Sequence, residues 1–191
     1  MTYAEAIQNL VDAGSKAGIS IIVSIPEYGV DRVVFGNDLA QEIETVGYPA
    51  GAELPWVVED FYLYSLDEIT ERQAGYRYDA HTGEASQGWD QNQYVIADWT
   101  ANPLTLGVDG AIRYARHGQE EWTYVRIAPD VPSFFALLAD WLRYFVVERA
   151  GNLFNEDFQI DEATRDIIRN SILRPIDLDD REAALAFLLG E

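Results

Sequence analysis

The chain has 191 residues, 48% of them hydrophobic and 13% aromatic, which is enough for one domain with a sizeable core. Its 33 acidic residues against 13 basic ones give a formal charge of −20, with Lys16 the only lysine, so no stretch offers the clustered Lys and Arg that a nucleic-acid backbone or an anionic membrane surface requires. Cysteine is absent, which excludes disulfides, thiolate nucleophiles and sulfur-ligated zinc.

In chain order, MTYAEAIQNLVDAGSKAG carries carboxylates where a secretory leader would be basic and then apolar. No apolar run approaches the roughly 20 residues needed to span a bilayer. The expectation is a soluble cytoplasmic protein. Ala6, Ile7, Leu10 and Val11 share one face at helical spacing, and Gly14 and Gly18 are expected to close that helix. ISIIVSI and VDRVVF, joined by PEYG, read as two strands of a hairpin. Asn37 is a candidate N-cap for a short helix, Asp38 to Val46, ended by Gly47. YPAGAELP reads as a loop, because two prolines flank Gly51.

VVEDFYLYS is rich in strand formers, and Ser65 with Glu68 forms a capping box for the helix LDEITERQ. From Gly75 to Asn92 the sequence is polar and turn-rich, an unusual length for a connection, so it is expected to be functional or mobile. Four strand signals follow: QYVIADWT, PLTLGV, AIRYARH and EWTYVRIA, joined at AN, DG and GQE. Asp109-Gly110 predicts a two-residue hairpin turn. A helix opening at Pro132-Ser133 and running to about Arg149 is apolar almost all round, so it should be buried on more than one side. DEATRDIIRNSIL and DDREAALAFLL, with Asp161 and Asp179 near their starts, are short amphipathic helices suited to covering it.

The fold class expected is therefore α+β. An antiparallel meander of at least four strands carries the long apolar helix, with helices flanking it at both ends of the chain. The organisation expected is one domain over 1–191. It comprises a helix–hairpin–helix part over 1–56, sheet and main helix over 57–150, and a C-terminal helical extension over 151–191.

Chemistry is harder to find. His117 lacks the nucleophile or further ligands that a catalytic or metal-binding histidine normally has, and reads as a strand-end residue bonding across the hairpin. His81 lies in a polar loop. Paired carboxylates such as Glu59-Asp60, Asp67-Glu68 and Asp179-Asp180 suit a glycosidase, but so acidic a chain supplies pairs by chance. Phosphate-loop, dinucleotide, zincin and nucleophile-elbow motifs are all missing. No cofactor, no metal and no catalytic residue is expected. Trp122 reads as core, whereas Trp89 and Trp99 divide between core and partner contact. A strongly negative field steers a basic protein partner. The candidate partner-binding residues are Trp89, Asp90, Asp98, Glu120 and Glu121, grouped by the long loop and by the turns at one end of the meander.

The order of these pieces resembles the SUKH superfamily, the group around the yeast cell-wall assembly regulator of the Smi/Knr type. Ile96-Ala97, Pro103-Leu104, Asp109-Gly110, His117-Gly118, Trp122, Ala128 and Ser133-Phe134 carry the resemblance, within residues 57 to 147. Residues 19 to 46 depart from it as an extra hairpin and helix. The resemblance implies a non-enzymatic immunity protein that binds and neutralises a cognate toxin, often a nuclease, of a bacterial polymorphic toxin system. The alternatives are a cytoplasmic scaffold or regulator of the same fold with an unrelated partner, and a carboxylate-using hydrolase.

Overall fold

The structure, a computed structural model, describes residues 1–118 and 122–191. The chain begins with α1 (Tyr3–Lys16), started by a capping box in which Thr2 Oγ1 accepts from the Glu5 N–H and Glu5 reaches back to Thr2. Gly14 does not close this helix. It sits inside it, where an added Cβ would collide with Ile21, and Gly18 at φ +75 makes the exit.

The expected N-terminal hairpin does not form. Only β1 (Val23–Ser24) is a strand, and it pairs with β2 (Tyr48–Pro49) instead of VDRVVF. That segment is the first turn of α2 (Arg32–Val46), because the Asp31 carboxylate accepts from the Val33 N–H at 2.8 Å and caps it. Val34 and Phe35 are both buried beside exposed Val33, a pattern that period-two alternation cannot produce. Gly36, at φ 70 and ψ 170, kinks the helix just before Asn37, and Gly47 ends it. YPAGAELP is likewise not a loop throughout, since it contributes β2 and then β3 (Ala52–Leu54).

Six strands form the main sheet among the described residues. β3 is followed by β4 (Phe61–Leu63), β5 (Gln93–Trp99), β6 (Asn102–Gly107), β7 (Ile112–Ala115) and β8 (Tyr124–Ala128), each antiparallel to the next. The architecture is the expected α+β meander with flanking helices, and β3 joins it from the part of the chain assigned to an N-terminal unit. Two corrections concern its turns. Thr100 and Ala101, both at positive φ, form the β5–β6 turn, one residue earlier than expected. The β6–β7 turn has three residues, Val108-Asp109-Gly110, closed by the Gly107 N–H to the Ala111 carbonyl at 2.9 Å.

α4 (Val131–Trp141) begins at Asp130, whose carboxylate accepts from the Ser133 N–H, and continues as a π-helical stretch over Leu142–Glu148. Its near-complete burial follows from three neighbours. Phe134 faces Phe61 of the sheet, Phe135 meets Tyr3 of α1, and Trp141 meets Trp56. The tail supplies α5 (Glu162–Ile167), continued by a π-helical stretch over Ile168–Ile172, and α6 (Arg181–Leu189). Phe187 of α6 packs on Phe61, Tyr114 and Trp56, and its carbonyl accepts from Trp56 Nε1 at 3.2 Å. Thus α4 and α6 share one face of the sheet. Among the described residues no helix is long and apolar enough to cross a membrane.

Candidate functional site

Among the described residues, the other face of the sheet carries the short helix α3 (Leu66–Arg72) and the segment 73–92. Strand alternation decides what it presents. Phe61 and Leu63 point to the core, so Tyr62 and Tyr64 flanking Leu63 point away from it. The register sets Glu53 opposite Tyr62 and Tyr62 opposite Asp98, making a row of acid, tyrosine and acid across three strands. Tyr62 donates to Glu68 Oε1 at 2.9 Å, and Glu68 also accepts from the Ser65 N–H at 2.8 Å, completing the expected capping box. Tyr64 donates to Asp98 Oδ2, while the Arg72 guanidinium lies 5.2 Å over the Tyr64 ring.

These contacts set the ionisation of the row. Burial first, then the bond to Asp98, pushes the Tyr64 hydroxyl well above the usual phenol range. The bond to Glu68 is the main reason Tyr62 is raised. Burial also raises Tyr76, and the Asp98 charge adds to it. Tyr62 and Tyr64 therefore remain neutral donors beside carboxylates at neutral pH.

The segment 73–92 is pinned to this face. Gln73 replaces a strand partner for Val95, with its Nε2 donating to the Val95 carbonyl at 2.9 Å and its Oε1 accepting the Val95 N–H at 3.1 Å. Arg77 is buried, donates to the Gln91 carbonyl at 2.7 Å and lies 3.8 Å from the centre of the Tyr94 ring. Trp89 is the centre of an aromatic cluster, with Tyr76, Trp122 and Tyr124 at centroid distances of 5.4, 5.0 and 5.5 Å. Its Nε1 donates to the Gln93 carbonyl at 3.0 Å, and burial pushes the Tyr124 hydroxyl up to about 12. The adjoining Asp90 is exposed, and its N–H donates to that hydroxyl at 3.2 Å.

Of the residues singled out from sequence, Trp89, Asp90 and Asp98 thus lie on one face, linked through Tyr76. The Trp89 indole is only 5% exposed and forms its foundation; Asp98 is half-buried. Trp99, equally undecided from sequence, is buried on the core face, with its Nε1 donating to the Glu59 carbonyl at 3.0 Å. Glu120 and Glu121 lie outside the described residues. Sequence reasoning passed over Tyr62, Tyr64 and Tyr76. The alternation in FYLYS marks the first two, whereas Tyr76 and Glu53 become part of the face only through tertiary pairing.

Of the arginines on this face, Arg72 lies over Tyr64 and Arg77 over Tyr94, and two more are held in ion pairs. Arg113, opposite Arg126 in the register, binds Asp109 at 2.6 Å, and Arg126 binds Asp180 at 2.9 Å. Arg72 offsets part of the charge of Glu68, while Glu53 and Asp90 stay exposed and carry the negative field of the face. Among the described residues no group of three or more histidines and carboxylates is placed to hold a metal ion. Compared with known proteins, the chain matches no family model and none of the curated proteins.

Proposed function

We propose that this protein is a non-enzymatic binding protein of the SUKH type, an immunity protein that neutralises a basic toxin domain of a bacterial polymorphic toxin system. One observation carries the reading: the sheet face opposite α4 and α6 sets tyrosines and carboxylates side by side, Glu53, Tyr62 and Asp98 in register, in a chain of charge −20. Tyrosine supplies large, rigid contact area at low entropic cost, and carboxylates pair with Lys and Arg. A nuclease domain needs a cationic surface to hold phosphates, so a rigid acidic face both competes for that surface and shields it. The order of short motifs from Ile96 to Phe134 adds the family to this physical argument.

The test is co-expression in a bacterial host with the toxic domain encoded directly upstream of this gene in its genome. Growth should be restored and a stable complex recovered by size-exclusion chromatography. Glu53→Lys/Asp90→Lys, two exposed positions on the face, should abolish rescue while leaving the melting temperature unchanged. Continued killing in the presence of folded wild-type protein overturns the reading.

A further inference from the structure

On the far side of α3 from the tyrosine row lies a half-open groove of about 490 Å³, within the roughly 300–1,000 Å³ of ligand clefts. Its floor includes Val34, Phe35 and Tyr48, and the start of α3 forms one wall. The opposite wall is the loop from Ser24 to Asp31, which holds Ile25 and Tyr28 at the rim with 65% and 81% of their surfaces exposed. Ile22 and Val33, also exposed, flank the same stretch. So many large apolar side chains left in water within twelve residues exceed the scattered exposure of an ordinary surface.

The loop is held in shape from below. Glu44 accepts the Val30 N–H at 3.1 Å and both Arg32 Nη atoms at 3.0 Å, while Asp31 is fixed as the cap of α2. The groove is thus preformed, which removes part of the ordering cost of binding. Its charge is of one sign. Glu27, Asp31 and Asp67 line it, no Lys or Arg does so among the described residues, and the adjacent Arg32 is engaged by Glu44.

We infer that this groove receives a basic segment of a partner protein, its apolar side chains filling the floor and its Lys or Arg heads meeting Glu27, Asp31 and Asp67. Charge complementarity selects that occupant. A second copy would bring another chain of −20, and an anionic lipid surface is repelled for the same reason. The site is continuous with the tyrosine face through α3, whose Asp67 lines the groove while the next residue, Glu68, holds Tyr62. The inference deepens the reading above by naming what the partner inserts, and rests on it only for the partner's basic character.

The experiment needs no toxin, so its failure is distinguishable from failure of the immunity reading. ¹⁵N-labelled protein is titrated with a capped hexapeptide alternating Leu and Lys, and with Leu/Glu and Gly/Lys counterparts. Leu/Lys should shift amides of Ser24–Val34 and Ser65–Thr70, Leu/Glu should shift none, and Gly/Lys should bind at least tenfold more weakly. Glu27→Gln/Asp67→Gln and Tyr28→Ser, at exposed positions, should each weaken Leu/Lys at least tenfold. Shifts spread over the whole acidic surface, or equal binding of Gly/Lys, overturn the inference. So does self-association in sedimentation experiments that Tyr28→Ser abolishes, which would make a second copy the occupant.

Discussion

At the corner where β6 begins and β7 has ended, the His117 N–H donates to Asn102 Oδ1 at 2.8 Å, while its imidazole lies edge-on to Trp122 at 5.9 Å and is exposed. The bond across the hairpin expected from sequence is present, but the backbone makes it. His117→Ala therefore loses only a surface aromatic contact and should cost about 0.5–1 kcal/mol. Asn102→Ala strips the acceptor from that N–H and should cost about 1–1.5 kcal/mol, with the larger effect on exchange of the His117 amide. Urea unfolding and hydrogen exchange of the two variants check this, and a larger cost for His117→Ala contradicts it. Residue roles of this kind were half legible. The strand-end place of His117 was legible, but nothing in QGWDQNQ showed that Trp89 would be buried, because Tyr76 lies thirteen residues earlier and Trp122 and Tyr124 come from beyond three strands.

Elements were legible where the apolar period ran long and illegible where it was short. β5 to β7 and α4 lie where they were expected, because strand formers in regular alternation and a long apolar run mark them, whereas β8 begins only at Tyr124, inside the expected EWTYVRIA. VDRVVF was misread because six residues, two of them charged, suit a strand or one helical turn equally, and the decision belonged to the Asp31 cap. The β6–β7 turn shows the same limit. Asp-Gly was expected at two positive-φ positions, but only Gly110, at φ +84, adopts one, and Asp109 instead binds Arg113. This geometry separates two glycines. Gly110→Ala meets no neighbour and should cost about 1–2 kcal/mol through its left-handed backbone alone. Gly107→Ala places its Cβ against the Arg113 guanidinium and the Asp109 carboxylate, prising the pair apart. Asp109 is held at about 2, mainly by Arg113, so Gly107→Ala should return it toward roughly 3.9, while Gly110→Ala leaves it low. Carboxyl titration by NMR distinguishes the two outcomes.

For the molecule as a whole, pH acts on stability from both sides, and the tyrosines set the alkaline side. Tyr3, Tyr48 and Tyr64 are among its largest fully buried side chains, and burial pushes all three hydroxyls far above the ordinary value of 10.0. In the unfolded chain they ionise near 10.0, whereas the folded chain keeps their protons, so above that pH the unfolded state binds fewer protons and stability falls. A fully buried tyrosine such as Tyr48 contributes a slope of up to about 1.4 kcal/mol per pH unit. The acid side has the opposite sign. Asp109, lowered from 3.8 to about 2, contributes stability that is complete above 3.8 and is lost as pH falls through 2. Repulsion among 33 carboxylates works against that loss, because protonation relieves it as pH drops toward the pI of about 4.2. The stability maximum should accordingly lie below neutrality, with the steeper fall on the alkaline limb. Urea midpoints at pH 3, 5, 7, 10 and 11 measure the curve. Tyr64→Phe should flatten the alkaline limb without moving the acid one, because it removes a proton that only the folded state retains. An alkaline limb unchanged in Tyr64→Phe would mean that this hydroxyl ionises as freely in the fold as outside it, and the neutral-donor account of the Tyr64–Asp98 pair would fail with it.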